Sequence, residues 1–181
     1  GMLYDYWIEL VYNNRKQDAM ELANAFQNQA NNYLEAKGVP QYAIEQMTSD
    51  VDFQTVRKTL FDIHANRRNF DSTNLLLATS TISHGVDEDS FNIMYFFGMP
   101  NNNAEYIQAY SRTGRKHTGI VVDIIRLMRV RDRSYLKNFV VFHQNRDDLV
   151  EAVPINRWAK NAIYSTLPGL LSGLIRQHYT I

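Results

Sequence analysis

Two six-residue stretches decide the fold: Asn74 to Thr79, which reads NLLLAT, and Asn92 to Phe97, which reads NIMYFF. Both are short and apolar almost throughout, which is typical of strands that are buried on both faces of a sheet. Such strands belong to parallel sheets that carry helices on each face. The two stretches therefore predict the centre of a parallel sheet.

The segments on either side alternate between strand and helix patterns. Strand patterns occupy Trp7 to Tyr12, Tyr42 to Met47 and Gly119 to Ile125. Apolar residues at helical spacing predict helices over Arg15 to Lys37, Val51 to His64 and Ala104 to Ser111. The resulting order, β-α-β-α-β-β-α-β, predicts an α/β fold with three layers.

Composition excludes several classes of protein. The 181 residues are 45% hydrophobic and contain no cysteine, which excludes wholesale disorder, disulfide scaffolds and thiolate zinc sites. The lack of cysteine is consistent with the cytoplasm, where we expect the protein. No run approaches about 20 consecutive apolar residues, so we expect no membrane contact.

The pattern changes after Ile125, which predicts a division into two parts. We expect a main domain over residues 2–126 and a helical extension over residues 127–181, packed on or beside it. Within the extension, Arg133 to Val153 predicts one aromatic-rich helix, and Pro168 to His178 predicts a last short helix.

The formal net charge of zero conceals a basic segment. Residues 112–137 hold eight basic and two acidic residues, a net charge of +6. Such a stripe can meet phosphate groups, although a solvated face without a ligand has the same composition. No phosphate loop, dinucleotide fingerprint or metal-ligand spacing of histidines is present in the sequence, and no metal site is expected.

Two polar segments follow the predicted core elements. Residues 78–87 read ATSTISHGVD and leave a buried strand with hydroxyl groups and Gly85, which suit a phosphodiester or a nucleotide; a polar loop is the alternative. Residues 108–115 read QAYSRTGR and place Arg112 and Arg115 three apart at a helix end, where two guanidinium groups can bind phosphate oxygens. Arginines that favour a helix C-terminus through its dipole are the alternative.

In this order and spacing, the segments resemble motifs V and VI of the C-terminal RecA-like domain of superfamily two helicases. Residues 9–26, ELVYNNRKQDAMELANAF, resemble motif IV of that family. The resemblance spans Trp7 to Ile125 and implies a RecA-like, P-loop NTPase-like fold. Ser111 departs from the usual glycine of motif VI, and His84 departs from the usual residue before Gly85. The C-terminal helical segment also resembles that of helicase-like proteins of phage-defence systems such as DISARM.

The resemblance implies a site for ATP. Arg115 would be the arginine finger and Arg112 would also face the triphosphate, with Gln108 orienting both. Gly85 and Asp87 would border the same cleft, with Asp87 near the ribose or near the arginines of motif VI. The Mg²⁺ and the phosphate cradle would belong to an N-terminal RecA-like domain of the same protein, so this chain alone should be an inactive part of an ATP-dependent helicase or translocase.

The resemblance also implies contacts with the backbone of DNA or RNA. The residues concerned are Thr79, Ser80, Thr81, Asn14 and Arg15. An alternative from a different class is a non-catalytic RecA-like docking module that binds a protein partner through exposed aromatic residues. Its candidate residues, which could equally pack the C-terminal helices onto the sheet, are Tyr135, Phe139, Phe142 and Trp158.

Overall fold

The computed structural model describes residues 2–83, 88–151 and 159–179. Five strands are present in this part of the chain: β1 Glu9–Asn13, β2 Ile44–Met47, β3 Leu75–Ala78, β4 Ile93–Phe97 and β5 Ile120–Ile124. They form one sheet in the order β2-β3-β1-β4-β5, and every neighbouring pair is parallel. The two apolar stretches, now β3 and β4, flank β1 at the centre, as their composition predicts.

Helices connect and flank these strands. They are α1 Met2–Asp5, α2 Lys16–Ala25, α3 Asn31–Ala36, α4 Phe53–Asn66, α5 Asn103–Tyr110, α6 Val130–Lys137, α7 Phe139–Gln144 and α8 Lys160–Tyr179. A π-helical turn, Phe26–Ala30, joins α2 to α3, so this region is close to the single predicted helix. A 3₁₀ turn, Ser80–Ser83, follows β3.

The alternation of side chains along the strands creates two separate cores. Leu10, Leu76 and Met94 occupy paired positions on one face, where each is fully buried. Helices α4, α5 and α7 pack on this face through buried residues that include Val56, Tyr106 and Phe142.

The opposite face belongs to α2. Val11 and Leu77 of the sheet contact Ala19 and Ala23 of this helix, and all four residues are buried. Small alanine side chains allow the helix to approach the sheet closely. Helices therefore cover both faces, which confirms the predicted three-layer α/β architecture.

The C-terminal helices differ from the prediction. The single helix expected over Arg133 to Val153 is wrong, because α6 ends at Lys137 and α7 begins at Phe139 after Asn138 leaves the helical region, with φ −112° and ψ 18°. The short helix expected to begin at Pro168 is also wrong, since α8 runs through Pro168 from Lys160 to Tyr179. Proline removes one backbone hydrogen bond, to the carbonyl of Tyr164, and that residue is 66% exposed, so water can replace the bond.

The chain forms two compact units, Gly1–Val150 and Glu151–Ile181. Helices α6 and α7 thus belong with the sheet, and the first unit extends beyond the division expected after Arg126. No helix within the described ranges combines the length and apolar character that a membrane crossing requires.

Candidate functional site

The residues expected to hold nucleic acid lie at one edge of the sheet. All five strands are parallel, so their carboxyl ends meet at the same edge. Asn14 and Arg15 follow β1 there, and Thr79 to Thr81 follow β3. Because β1 and β3 are hydrogen-bonded neighbours, the structure brings the two groups together.

Their side chains differ in exposure. The amide of Asn14 donates to the carbonyl oxygen of Met99 at 2.8 Å, which leaves this side chain half-buried, whereas Arg15 is exposed just before α2. Thr79 is only 7% exposed, and its hydroxyl lies 3.4 Å from that of Thr81. Ser80 is exposed. This edge thus presents the guanidinium group of Arg15 and the hydroxyl of Ser80 to solvent, whereas Asn14 and Thr79 are largely shielded.

Arg112 and Arg115 lie at the opposite, amino edge of the sheet. Helix α5 ends at Tyr110, and both arginines follow it in a loop that leads to β5. Within this loop the backbone N–H of Gly114 donates to the carbonyl oxygen of Phe91 at 2.9 Å, two residues before β4 begins. Arg112 is half-buried and Arg115 is exposed.

Two glycines hold this loop closed. Gly114 has φ +75°, a conformation that other residues rarely adopt. A Cβ atom at Gly114 would lie 2.6 Å from the backbone nitrogen of Gly119, so the two backbones are in contact. The loop 114–119 is consequently pinched at its base, and Arg115 lies just inside it.

Gln108 and the two arginines do not lie on one helix. Gln108 is exposed on α5, while Arg115 follows the left-handed Gly114 outside the helix. Helix α5 packs against the 3₁₀ turn Ser80–Ser83, so the segments that resemble motifs V and VI are neighbours. Gly85 and Asp87 lie outside the described residues.

Acidic residues after Asp87 form an ion-pair network near the loop 114–119. The Nδ1 atom of His64 lies 3.1 Å from Oε1 of Glu88 and 3.5 Å from Oδ1 of Asp89. Asp89 also lies 3.4 Å from Nη1 of Arg67 and 3.8 Å from Nζ of Lys116. The network ties the start of the loop to the end of α4.

One contact that the sequence patterns did not predict joins β1 to α5. The hydroxyl of Tyr12, a residue that is 1% exposed, donates to Oε1 of Glu105. Burial, with the neighbouring Glu105 carboxylate, raises the pKa of Tyr12 well above its ordinary value, so the hydroxyl stays protonated. The two residues are 93 positions apart, and no local pattern links them.

Two arginines of the basic segment, residues 112–137, form ion pairs within the fold. Nη1 of Arg126 lies 2.8 Å from Oδ1 of Asp18, and Nη2 of Arg129 lies 3.1 Å from Oδ2 of the same residue. Burial alone would raise the pKa of Asp18, but the hydrogen bonds and charges of the two arginines outweigh it and lower the pKa. These arginines anchor the segment after β5 to α2.

Two of the four aromatic residues of the docking alternative pack within the domain. Phe142 is 6% exposed and belongs to the core, and the hydroxyl of Tyr135 donates to Oδ1 of Asn103 at 2.8 Å. Phe139 is 37% exposed, and Trp158 lies outside the described residues. Two of the four side chains therefore stabilise the fold, which favours the packing interpretation for them.

Comparisons with known proteins agree with this architecture. The chain is 32% identical over 134 residues to the DISARM protein DrmA of Bacillus paralicheniformis, an alignment that covers 74% of this chain and 12% of that protein. The structure of this chain is similar to that of the helicase MrfA bound to DNA and AMPPNP. The TM-score is 0.68 at 15% identity, over 92% of this chain and 22% of the other. The helicase Lhr of Mycobacterium smegmatis, bound to single-stranded DNA and AMP-PNP, gives a TM-score of 0.60 at 17% identity over 85% of this chain and 19% of the other.

The solved structures confirm the RecA-like fold, and the family match comes from the sequence. Residues 3–117, which include β1 to β4, α5 and both Arg112 and Arg115, match the helicase conserved C-terminal domain. The chain spans less than a quarter of the length of each of the three similar proteins. The protein therefore belongs to the helicase conserved C-terminal domain family.

Proposed function

We propose that this chain is the C-terminal motor domain of an ATP-dependent nucleic-acid helicase or translocase, with Arg115 as its arginine finger. The observation that supports this most directly is the pinched loop 114–119, which presents an exposed Arg115 at a fixed place beside the start of β4. A guanidinium group held in this way can neutralise charge on a phosphoryl group that another domain brings to it.

ATP would bind between this domain and an N-terminal RecA-like domain of a longer protein. The sequence has no phosphate loop, so the other domain would hold the phosphates and Mg²⁺. Arg112 and Arg115 would face the triphosphate, and Gln108 would orient them. Gly85 and Asp87 would border the cleft, with Asp87 near the ribose.

The carboxyl edge would grip the backbone of a DNA or RNA strand. Asn14, Arg15 and the hydroxyls of residues 79–81 offer donors that suit phosphate oxygens and carry no base preference. The similarity to a DISARM protein favours a parent protein that acts in a phage-defence system.

The first test replaces the proposed finger in the full-length protein. We expect Arg115→Ala to lower nucleic-acid-stimulated ATP turnover by about 10³-fold or more, because an arginine finger contributes about 10³–10⁵ to the rate. Steady-state phosphate release measures this change. Arg133→Ala is the matched control, since it removes an exposed arginine of α6 that has no proposed role.

The outcome decides whether Arg115 acts as the arginine finger. Arg115→Ala with turnover equal to wild type would show that Arg115 is not the finger. Loss of turnover in both variants would point to general damage, which the thermal unfolding temperature of each variant detects.

A further inference from the structure

Arg126 and Arg129 are held side by side by a single carboxylate. Each oxygen of Asp18 takes one guanidinium nitrogen, at 2.8 Å from Arg126 and 3.1 Å from Arg129. The Asp18 side chain is 9% exposed, while the two arginine side chains remain 29% and 27% exposed. Since one cation is enough to pair a carboxylate, the second leaves a net positive charge at this position.

Further contacts fix the position of Arg126. Its guanidinium lies 4.7 Å from the centre of the Phe97 ring, and its backbone N–H donates to Oδ2 of Asp132 at 3.1 Å. The neighbouring Gly98 has φ +81°, and a Cβ atom there would lie 3.1 Å from Cδ of Arg126. The arginine is therefore already ordered, which lowers the entropy cost of binding a ligand.

Arg131 connects this pair to the residues that follow β1. It donates to Oδ1 of Asn101 at 3.0 Å and to the carbonyl oxygen of Met99, which also accepts the amide of Asn14. One carbonyl thus joins Asn14 to the segment after β5. Adjacent strands lie about 4.8 Å apart, so the surface continues about 14 Å from the end of β3 to the end of β5.

The charge of this surface is positive. Its cations are Arg15, Arg126, Arg129 and Arg131, and its anions are Asp18 and Asp132. A guanidinium carries five N–H donors in a planar fork that matches phosphate geometry, and Asp18 occupies one nitrogen of each member of the pair.

We propose that Arg126 and Arg129, aligned by Asp18, form a second phosphate-binding site that extends the nucleic-acid grip from the ends of β1 and β3 to the end of β5. This inference rests on the proposed function, because it assigns a longer strand path across the same edge. The ligand is the phosphate backbone, and the site carries no base preference.

The test measures how salt affects binding by the full-length protein. A fluorescent dT20 oligonucleotide is titrated by anisotropy at several salt concentrations. The logarithm of affinity falls with the logarithm of salt by about 0.7 per phosphate contact on a single strand. We expect Arg126→Gln with Arg129→Gln to make this slope shallower by about 0.7, because the two arginines and Asp18 together carry one net positive charge. Lys58→Gln with Arg68→Gln is the matched control, which removes two exposed charges elsewhere and keeps the wild-type slope.

A second variant protects the test against misfolding. Losing both arginines leaves Asp18 buried without its cations, which is destabilising. Adding Asp18→Asn removes that charge, and the triple variant should keep its fold by circular dichroism and show the same shallower slope.

Three results overturn or separate the proposals. A wild-type slope in the folded triple variant overturns the second site while leaving the proposed motor function intact. If the salt dependence of the control pair becomes shallower by the same amount, the second site is overturned too, because the loss of any two positive charges would then explain the effect. A wild-type protein that neither binds dT20 nor hydrolyses ATP contradicts the motor function and the second site together.

Discussion

Asp18 and Asp123 are both shielded from solvent, yet their pKa values move in opposite directions. The side chains are 9% and 7% exposed. Two arginines lower the pKa of Asp18 in spite of its burial. Burial raises the pKa of Asp123, and the hydrogen bond from Tyr106 and the neighbouring His143 offset this only in part. The two arginines outweigh burial at Asp18, whereas burial outweighs the neighbours at Asp123.

These shifts predict opposite effects on stability as pH changes. The folded pKa of Asp18 lies below its unfolded value, so its stabilisation is present above about pH 4 and is lost as pH falls through the folded pKa. Asp18→Asn should therefore lower the thermal unfolding temperature at pH 7 and flatten its decline in acid. Thermal unfolding between pH 3 and pH 7 measures both effects. An unfolding temperature that falls in acid as steeply as that of the wild type would contradict the ion-pair account.

Asp123 should behave in the reverse way. Its folded pKa lies above the unfolded value, so its carboxyl favours folding at acid pH and opposes it as pH rises through the folded pKa. Asp123→Asn keeps an oxygen that can accept from Tyr106 and removes the buried charge. We expect it to raise stability at pH 7, by on the order of 1 kcal/mol, with little change near pH 3. Urea unfolding at both pH values tests this, and lower stability at pH 7 would contradict it.

Individual residues could be chosen from the sequence only where a local pattern marks them. The arginines of QAYSRTGR and the hydroxyls of ATSTIS stand in compact segments, so the sequence marks them as candidates. The contact from Asp18 to Arg126 joins residues 108 positions apart, and spacing along a helix or strand contains no information about such a pair. The sequence pattern places Arg112 and Arg115 at a helix end, but α5 ends at Tyr110 and both arginines follow it in a loop.

At the scale of elements, the loop 114–119 depends on two backbones in contact. Gly114→Ala places a Cβ atom 2.6 Å from the backbone of Gly119 and strains a positive φ. We expect this variant to destabilise the chain by about 1–3 kcal/mol and to displace Arg115, with a large loss of ATP turnover in the full-length protein. Chemical unfolding and phosphate release measure the two effects.

Gly173→Ala is the matched control for that substitution. Gly173 lies within α8, and a Cβ atom there meets nothing within 4 Å. Alanine favours a helix by about 1 kcal/mol over glycine, so stability should be kept or improved. A Gly114→Ala protein as active as the control would show that the closed loop does not position the finger.

Elements with strong periodicity were predictable, and the C-terminal ones were not. Continuous apolar runs mark β3, which is buried on both faces, and β4, which is buried on one face and partly buried on the other. The aromatic residues of Arg133 to Val153 suggested one helix, but Phe142 must turn inward to reach Tyr106 in the core. The break at Asn138 permits that turn, and tertiary packing therefore overrides the local pattern.

At the scale of the whole molecule, the core extends into α6 and α7. Asp132 is fully buried and Phe142 is 6% exposed, so a chain that ends at Arg126 lacks part of its core. We expect residues 1–126 to unfold or aggregate, and residues 1–150 to keep a cooperative thermal transition. Circular dichroism of the two truncated chains tests this. A stable, cooperative 1–126 fragment would support the boundary that the sequence pattern predicted.

The two proposed binding edges are separated by the length of the strands. Five residues of β1 span about 16 Å between the arginine loop at one edge and Asn14 at the other. A sheet packed on both faces is stiff, so it would behave as a plate rather than a hinge. A nucleotide that drew the amino edge of the sheet toward a second domain would rotate the sheet as one body. The carboxyl edge, with its bound strand of nucleic acid, would then move with it.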